Sequence, residues 1–313
     1  MGILVSVVIA TYNQERYIRQ ALDSVISQKV NFILEVLVAD DASIDNTLQI
    51  LKDYAEAHPE VKLVLREKNI GATENVYHAM NECSGKYLAY LEGDDYWTDS
   101  GKLQKQVDFL ESNTKFVGCC HKFNIVDGCG NIIKRKLSWV KHKEVFTLSD
   151  FRGIYLPSQP STFVFRNFFL DKERDYSFLY KTDKMIGDRT HMLFCLSMGS
   201  FYCLEQVMGV YRITYNSLTF QLYGIIGAIE RDLVLTQKLE SLANELKVNV
   251  DFSYHRKELY TSAILRFIKT FGKSGIQPLR NIRAGRSRLL FLIYLPLGIW
   301  RRVARLWHQR AWE

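Results

Sequence analysis

Four short apolar runs separated by stretches with helical spacing open the chain, and this alternation limits the folds available to it more than any other feature. The runs at residues 4–10 (LVSVVIA), 34–39, 61–65 and 87–91 are rich in β-branched and aliphatic residues and do not alternate with polar ones. That pattern marks strands covered on both faces. Between them, Ile18, Ala21, Leu22, Val25 and Ile26 fall on one face of a helix over 17–28, and 45–58 and 72–82 read as further helices. Ser43 or Asp45 is available to cap the second of these. A βαβαβαβ order with right-handed crossovers gives a doubly wound, mostly parallel α/β sheet. Ligands on such sheets bind beyond the carboxyl ends of the strands, so the residues there are the ones to read for chemistry.

Beyond the fourth run the pattern loosens. Residues 101–112 look helical and 116–126 look like a strand. Asp127-Gly128-Cys129-Gly130-Asn131 has the composition of a tight hairpin turn. Residues 145–166 are mixed, 188–197 predict a helix, and 223–243 and 254–270 predict long amphipathic helices. The expected division is an α/β domain over 1–220, a helical extension over 221–280 and a basic amphipathic tail over 281–313.

Charge is informative through its location. The formal net charge is +7, and residues 280–313 hold eight arginines against one acid, so the excess lies in the tail and the body is neutral. A nucleic-acid enzyme spreads basic residues over its working face, and a basic tail fits an anionic surface or a partner instead. Within the tail, LLFLIYLPLGIW at 289–300 is too short for a bilayer-spanning helix. Flanked by arginines and followed by Val303, Trp307 and Ala311, it suits a helix lying in a membrane interface or one docked on the body. The six cysteines contain no CxxC pair. Cys119-Cys120-His121 reads as small buried residues at the end of a strand, with thiols reduced as in a cytosolic protein. The N-terminus lacks a charged leader, so the expectation is a cytoplasmic protein held peripherally at the inner face of the membrane.

The predicted strand ends are Thr11-Tyr12-Asn13, Asp40-Asp41, Lys68-Asn69 and Glu92-Gly93-Asp94-Asp95, four polar groups brought to one sheet edge. Two of them hold adjacent carboxylates, which repel unless a cation or hydrogen-bond donors stand between them. Mg²⁺ or Mn²⁺ satisfies such oxygens and characteristically takes one or two carboxylates plus substrate phosphates. Neither GxGxxG nor GxxxxGK[ST] occurs, which excludes a Rossmann dinucleotide site and a P-loop. A nucleotidyltransferase calls for a Gly- and Lys-rich loop after the first strand, where this chain has Tyr12-Asn13-Gln14.

The stretches VSVVIATYN (5–13), ALDSVISQ (21–28) and VADDASIDNT (38–47) resemble family-2 inverting glycosyltransferases. So do Asn69-Ile70-Gly71 with Asn75, and Ser84-Gly85-Lys86-Tyr87 leading to Gly93-Asp94-Asp95. The resemblance implies the GT-A fold and a nucleotide-sugar donor, UDP- or dTDP-linked, in contact with Thr11, Tyr12, Asn13, Glu15, Asp41, Asn69, Gly71, Asn75 and Asp94. Asp41 would take the base and Asp95 the metal, Mn²⁺ or Mg²⁺, that bridges the donor diphosphate.

In the second half the resemblance assigns the catalytic base to Asp188 in Gly187-Asp188-Arg189-Thr190, where many relatives have Glu-Asp. Asp183 is the nearby competitor, and a helix cap is the plainer role for Asp188. Tyr211-Arg212-Ile213-Thr214 matches a family stretch that holds a histidine where this chain has Thr214. Arg212 there meets phosphates or forms a structural ion pair. Residues 158–162 fall where relatives line the acceptor side, and Trp97 either stacks on a sugar or packs under the metal loop. The resulting expectation is a non-processive, inverting glycosyltransferase acting on a saccharide, lipid-linked acceptor of envelope polysaccharide, with no nucleic-acid partner. The alternative is a catalytically silent nucleotide-sugar-binding or scaffold protein.

Overall fold

The computed structural model describes residues 3–184, 186–214 and 227–270 of the 313. The chain divides into two units, residues 1–215 and 216–313. In the first unit β1 (Ile3–Thr11), β2 (Ile33–Asp40), β3 (Val61–Leu65) and β4 (Tyr87–Glu92) alternate with α1 (Ile18–Ile26), α2 (Thr47–Ala57) and α3 (Ala72–Glu82). These four strands pair in the order β3-β2-β1-β4, all parallel. The α/β reading of the first half therefore holds, and Val5, Val7, Val8 and Ile9 of β1 are fully buried on both faces.

The sheet continues through β8 (Val164–Arg166), β6 (Phe116–Asp127), β9 (Ser200–Ile213) and β5 (Tyr96–Trp97), with β7 (Val145–Phe146) pairing β9. β8 runs antiparallel to both β4 and β6, whereas β6 and β9 are parallel. Helix α4 (Lys102–Ser112) joins α1 and α2 over one face, around Ile18, Leu22, Leu51, Leu103, Val107 and Leu110. Helix α3 covers the other with Asn75, Ala79 and Met80 buried. The short helices α5 (Leu148–Phe151) and α6 (Phe178–Lys181) and the longer α7 (Asp188–Met198) complete the unit. In the second unit α8 (Gly227–Glu245) and α9 (Ser253–Thr270) bring Leu233 against Leu259 and pair Arg256 with Glu240.

Several expectations need correction. Helix α2 begins at Thr47, two residues late, because Asp45 turns back to accept from the Thr47 amide at 2.9 Å while Ser43 is tied to Asp40. Cys119, Cys120 and His121 lie within β6, not at its end, and are fully buried. All six cysteines are free thiols. The 127–131 turn, by contrast, is the expected hairpin, closed by a Val126–Ile132 bridge. Residues 223–226 of the expected third-quarter helix and the whole 281–313 tail lie outside the described residues. No helix among the described residues is long and apolar enough to cross a membrane.

The edge of the sheet opposite the strand carboxyl ends is held by one acid. Glu35 of β2 accepts from Ser6 Oγ of β1 at 2.5 Å and from the Ser84 amide at 3.0 Å, and pairs with Lys62 of β3 at 3.2 Å. Ser6 Oγ also accepts from the Gly85 amide at 2.8 Å, so strands β1, β2, β3 and the lead into β4 share one hydrogen-bonded node. Burial pushes the Glu35 pKa up, but the hydrogen bonds from Ser6, Ser84 and Lys62 outweigh it and leave the carboxyl below 4.5. Replacing Glu35 by Ala strands these donors and is expected to cost about 2–3 kcal/mol, read as an earlier urea midpoint. A depressed carboxyl stabilises fully above its unfolded pKa and loses that contribution as pH falls through the folded one. The wild type should accordingly shed an increment of stability on acidification that Glu35→Ala lacks.

Candidate active site

The chemistry gathers where β4 ends. Glu92, Asp94 and Asp95 each place a carboxylate oxygen within 4.8 Å of the others, with Asp95 buried and its two neighbours half-buried. Burial raises all three pKa values. Glu92 reaches about 8, with Asp94 and Asp188 adding to the effect, and Asp94 reaches about 6. Asp95 is pushed well above the usual carboxylate range by burial and by the charges of Asp94 and Glu92. A cluster of this kind has strong appetite for a hard cation with oxygen ligands.

What fixes Asp95 is contributed by distant parts of the chain. One of its oxygens accepts from Gln159 Nε2 and Ser161 Oγ, both at 2.7 Å, and the other from the Arg212 amide at 2.9 Å. The 158–162 segment is therefore a buried buttress for the acidic loop, and Ser158, Gln159, Ser161 and Thr162 are all buried. Trp97 packs beneath the loop, donating from Nε1 to the Ser161 carbonyl at 2.8 Å. Arg212 is buried as well. Its Nε donates to the Asp94 carbonyl at 2.9 Å, its Nη1 to the Asp127 carbonyl at 3.4 Å and its Nη2 to Gln20 Oε1 at 2.7 Å. The guanidinium also lies 4.5 Å from the Tyr17 ring centroid. Its partners are protein carbonyls, a side-chain amide and an aromatic face, so it holds the loop through hydrogen bonds to neutral groups.

The ends of β1 and β2 are laced together. Asn13 adopts φ of +54°, a left-handed setting that asparagine tolerates, and its Oδ1 accepts from the Ile44 amide at 2.8 Å. The Asn13 amide donates to Ser43 Oγ, and Glu15 accepts from the Asn46 amide at 3.0 Å. Thr11 is buried with its Oγ1 lacking a protein partner, while Tyr12 and Ile44 stand exposed beside this shelf. Asp41 is buried, and its two oxygens accept from the Ile70 and Gly71 amides at 2.8 and 2.9 Å. Gly71 itself sits at φ of +97°, a conformation that side chains resist. Asn75 donates to the Ala39 carbonyl and accepts from Arg66 Nε, both at 2.9 Å, and so ties α3 to the end of β2. Asn69 is exposed on the turn between β3 and α3.

Asp188 occupies the first turn of α7, where Oδ1 accepts from the Arg189 amide at 2.8 Å. It is half-buried and close enough for its charge to raise the pKa of Glu92 and Tyr90. Asp183, the competitor, accepts from the Ile186 amide at 3.0 Å and shapes the turn ahead of the helix. The preceding residue, Gly187, lies directly against α3. A Cβ there would come within 2.6 Å of Thr73 Cγ2, so the close approach to α3 favours glycine at this position.

The family model described as Glycosyl transferase family 2 matches residues 6–174, just over half of the chain. The chain belongs to glycosyl transferase family 2. An uncharacterised protein of Mycobacterium tuberculosis is 41% identical over 146 residues, 46% of this chain and 42% of its own length. The putative teichuronic acid biosynthesis glycosyltransferase TuaG of Bacillus subtilis is 36% identical over 107 residues, 34% of this chain and 42% of its own. The chain thus spans well under half of these curated relatives. Among solved structures, S. aureus TarS 1-349 in complex with UDP-GlcNAc superposes with a TM-score of 0.61 at 19% identity, covering 88% of this chain and 78% of that one. That likeness shows the GT-A arrangement of the fold.

Within this family-2 frame, the sequence marks the acidic loop and Trp97 beneath it, but not the roles of Gln159 and Ser161. Glu92 was visible as a strand end and is the third member of the cluster, whereas Gln159 and Ser161 lie more than sixty residues away and bear no local mark. Arg212 acts on the loop from beneath. Arg212→Lys keeps the charge but cannot reproduce the guanidinium's three separate contacts. It is expected to lower stability by about 2–4 kcal/mol, seen in chemical unfolding.

Proposed function

We propose that this family-2 chain is an inverting glycosyltransferase that moves a sugar from a UDP- or dTDP-sugar to a saccharide acceptor in cell-envelope polysaccharide synthesis. The observation that carries this reading is the Glu92, Asp94 and Asp95 cluster at the end of β4, set within electrostatic reach of Asp188. The donor set is oxygen only, and mutual repulsion in a half-buried place is relieved by a divalent ion, so the residues fit Mn²⁺ or Mg²⁺. Bound there, such an ion supplies positive charge that a departing nucleoside diphosphate needs. One relative in fold, S. aureus TarS 1-349, solved with UDP and with UDP-GlcNAc, supports a uridine nucleotide donor. The name of TuaG supports an envelope polysaccharide product.

The chain's own residues then divide the work. Asp95, with Asp94 and Glu92, holds the ion, and Gln159, Ser161 and Arg212 hold Asp95. The shelf of Thr11, Tyr12, Asn13 and Glu15, with Asn69 and Gly71, receives the nucleoside. Each Asp41 oxygen accepts one backbone amide and has a second lone pair for a base N–H. Asn75 and Arg212 act as positioning residues, since their polar atoms engage protein partners. Asp188 takes the proton from the acceptor hydroxyl as it attacks the anomeric carbon from the face opposite the leaving group. A lipid-linked acceptor reached at the inner membrane face accords with the basic amphipathic 281–313 segment.

Thermal unfolding with UDP, dTDP, GDP and CMP, each with and without Mn²⁺, tests the donor site. A ligand at a hundred times its Kd adds roughly 2.7 kcal/mol. Stabilisation by UDP or dTDP that requires both Mn²⁺ and Asp95 is the expected result. A response that survives Asp95→Asn, or one confined to GDP or CMP, would overturn it. For the base, Asp188→Asn should keep nucleotide stabilisation and lose roughly 10²–10⁴-fold in kcat; unchanged turnover would remove Asp188 from that role.

A further inference from the structure

The hairpin that leaves β6 has no part in the donor site, yet it is attached to it. Its first carbonyls, Asp127 and Gly128, accept from Arg212 Nη1 and from the Tyr17 hydroxyl, and the same guanidinium holds the Asp94 carbonyl. Asp127 accepts from the Cys129 and Asn131 amides, which fixes the turn. The returning strand is pinned by the Ile133 amide on the Ile125 carbonyl, and further on Val140 bridges to Leu156. The segment is thus a built structure rising from the catalytic edge.

Its outer surface has an unusual composition. From 128 to 143 there are five lysines and arginines and no acid. Lys141 and Lys143 share an ion pair with Asp150. Lys134, Arg135 and Lys136 are exposed and make no ion pair among the described residues. Beside them Ile132 is 71% exposed, a large aliphatic side chain with nothing of the described residues over it. Three consecutive unpaired cations next to an exposed aliphatic group is the combination that binds an anionic bilayer surface. The cations meet headgroup phosphates and the apolar side chain enters the acyl boundary.

We propose that this hairpin is a membrane-contact surface that seats the catalytic edge against anionic phospholipid. A soluble polyanion would account for the lysines and arginine but leave the exposed isoleucine without a role, which favours the bilayer. The inference draws on the reading that the acceptor is presented at a membrane, but the surface is tested without any transfer reaction.

Cys129, at the tip of the turn, is the exposed cysteine of the six and the other five are buried, so the full-length protein takes a maleimide dye at that point. Phosphatidylcholine vesicles containing phosphatidylglycerol should shift an environment-sensitive dye at Cys129 to the blue and shield it from iodide, and pure phosphatidylcholine should not. Lys134→Glu/Arg135→Glu/Lys136→Glu should raise the lipid concentration needed by roughly a hundredfold. Ile132→Ser should reduce shielding while keeping the charge dependence. The thermal response to UDP with Mn²⁺, read on the same samples, reports the donor site separately and confirms that each variant is folded. The proposal is overturned if the protein sediments with anionic vesicles without a change at Cys129, which places contact elsewhere in the chain. It is equally overturned if the triple variant responds as the wild type does, or if soluble polyphosphate produces the change and vesicles do not.

Discussion

Three carboxylates held within 4.8 Å of one another are the constraint around which the first unit is organised. Left to itself, a loop carrying Glu92, Asp94 and Asp95 would splay to separate the charges. Here it is prevented from doing so by donors aimed at Asp95 and by a guanidinium clamped onto the Asp94 carbonyl. The first four parallel strands supply the platform, but the segments that follow them supply the restraint. Gln159 and Ser161 arrive just ahead of β8, and Arg212 arrives on β9. The second half of the sheet is thus there to pin a loop that the first half delivers.

The cost of that arrangement is also visible beneath the loop. Lys102, the first residue of α4, is fully buried with its Nζ 3.8 Å from the Trp97 ring centroid and no protein hydrogen-bond partner. Burial lowers its pKa to about 7, and the neighbouring His121 is driven to about 3 by burial and by Lys102. Such groups weaken a core. The Glu35 node at the other end of the strands contributes in the opposite sense, with every partner satisfied. Satisfied donors thus gather around Glu35 where the strands begin, while Lys102 Nζ and His121 Nε2 are left buried without hydrogen-bond partners near Trp97.

The sequence made the platform legible because buried parallel strands and amphipathic helices write their own periodicity. It made the acidic loop legible because two adjacent aspartates at a strand end have few structural uses. It hid what depends on tertiary pairing. β8 is three residues long, too short for any period to register, and it gains its place only from β4 and β6 on either side. β9 is long, but Glu205, Gln206 and Val207 are exposed in its middle, and that break in apolar alternation conceals it. The same limit applies to side-chain roles. Asn75 and Arg212 stand in stretches that resemble donor contacts, yet their polar atoms bind Ala39, Arg66, Asp94, Asp127 and Gln20. A residue type shows what chemistry is available, and only the fold shows which partner has claimed it.

Arg212 also explains why the hairpin and the catalytic loop belong to one mechanical unit. A single planar group reaches the carbonyl of Asp94 on one side and that of Asp127 on the other, with Gln20 of α1 as a third anchor. Lysine has one nitrogen and could span only one of these gaps, so the geometry selects arginine. Because both carbonyls are fixed to the same group, displacing the hairpin base relative to the acidic loop would break charge-assisted hydrogen bonds in a buried place, where water cannot replace them cheaply. The base of the hairpin that carries Lys134, Arg135 and Lys136 is therefore tied to the loop that carries Glu92, Asp94 and Asp95.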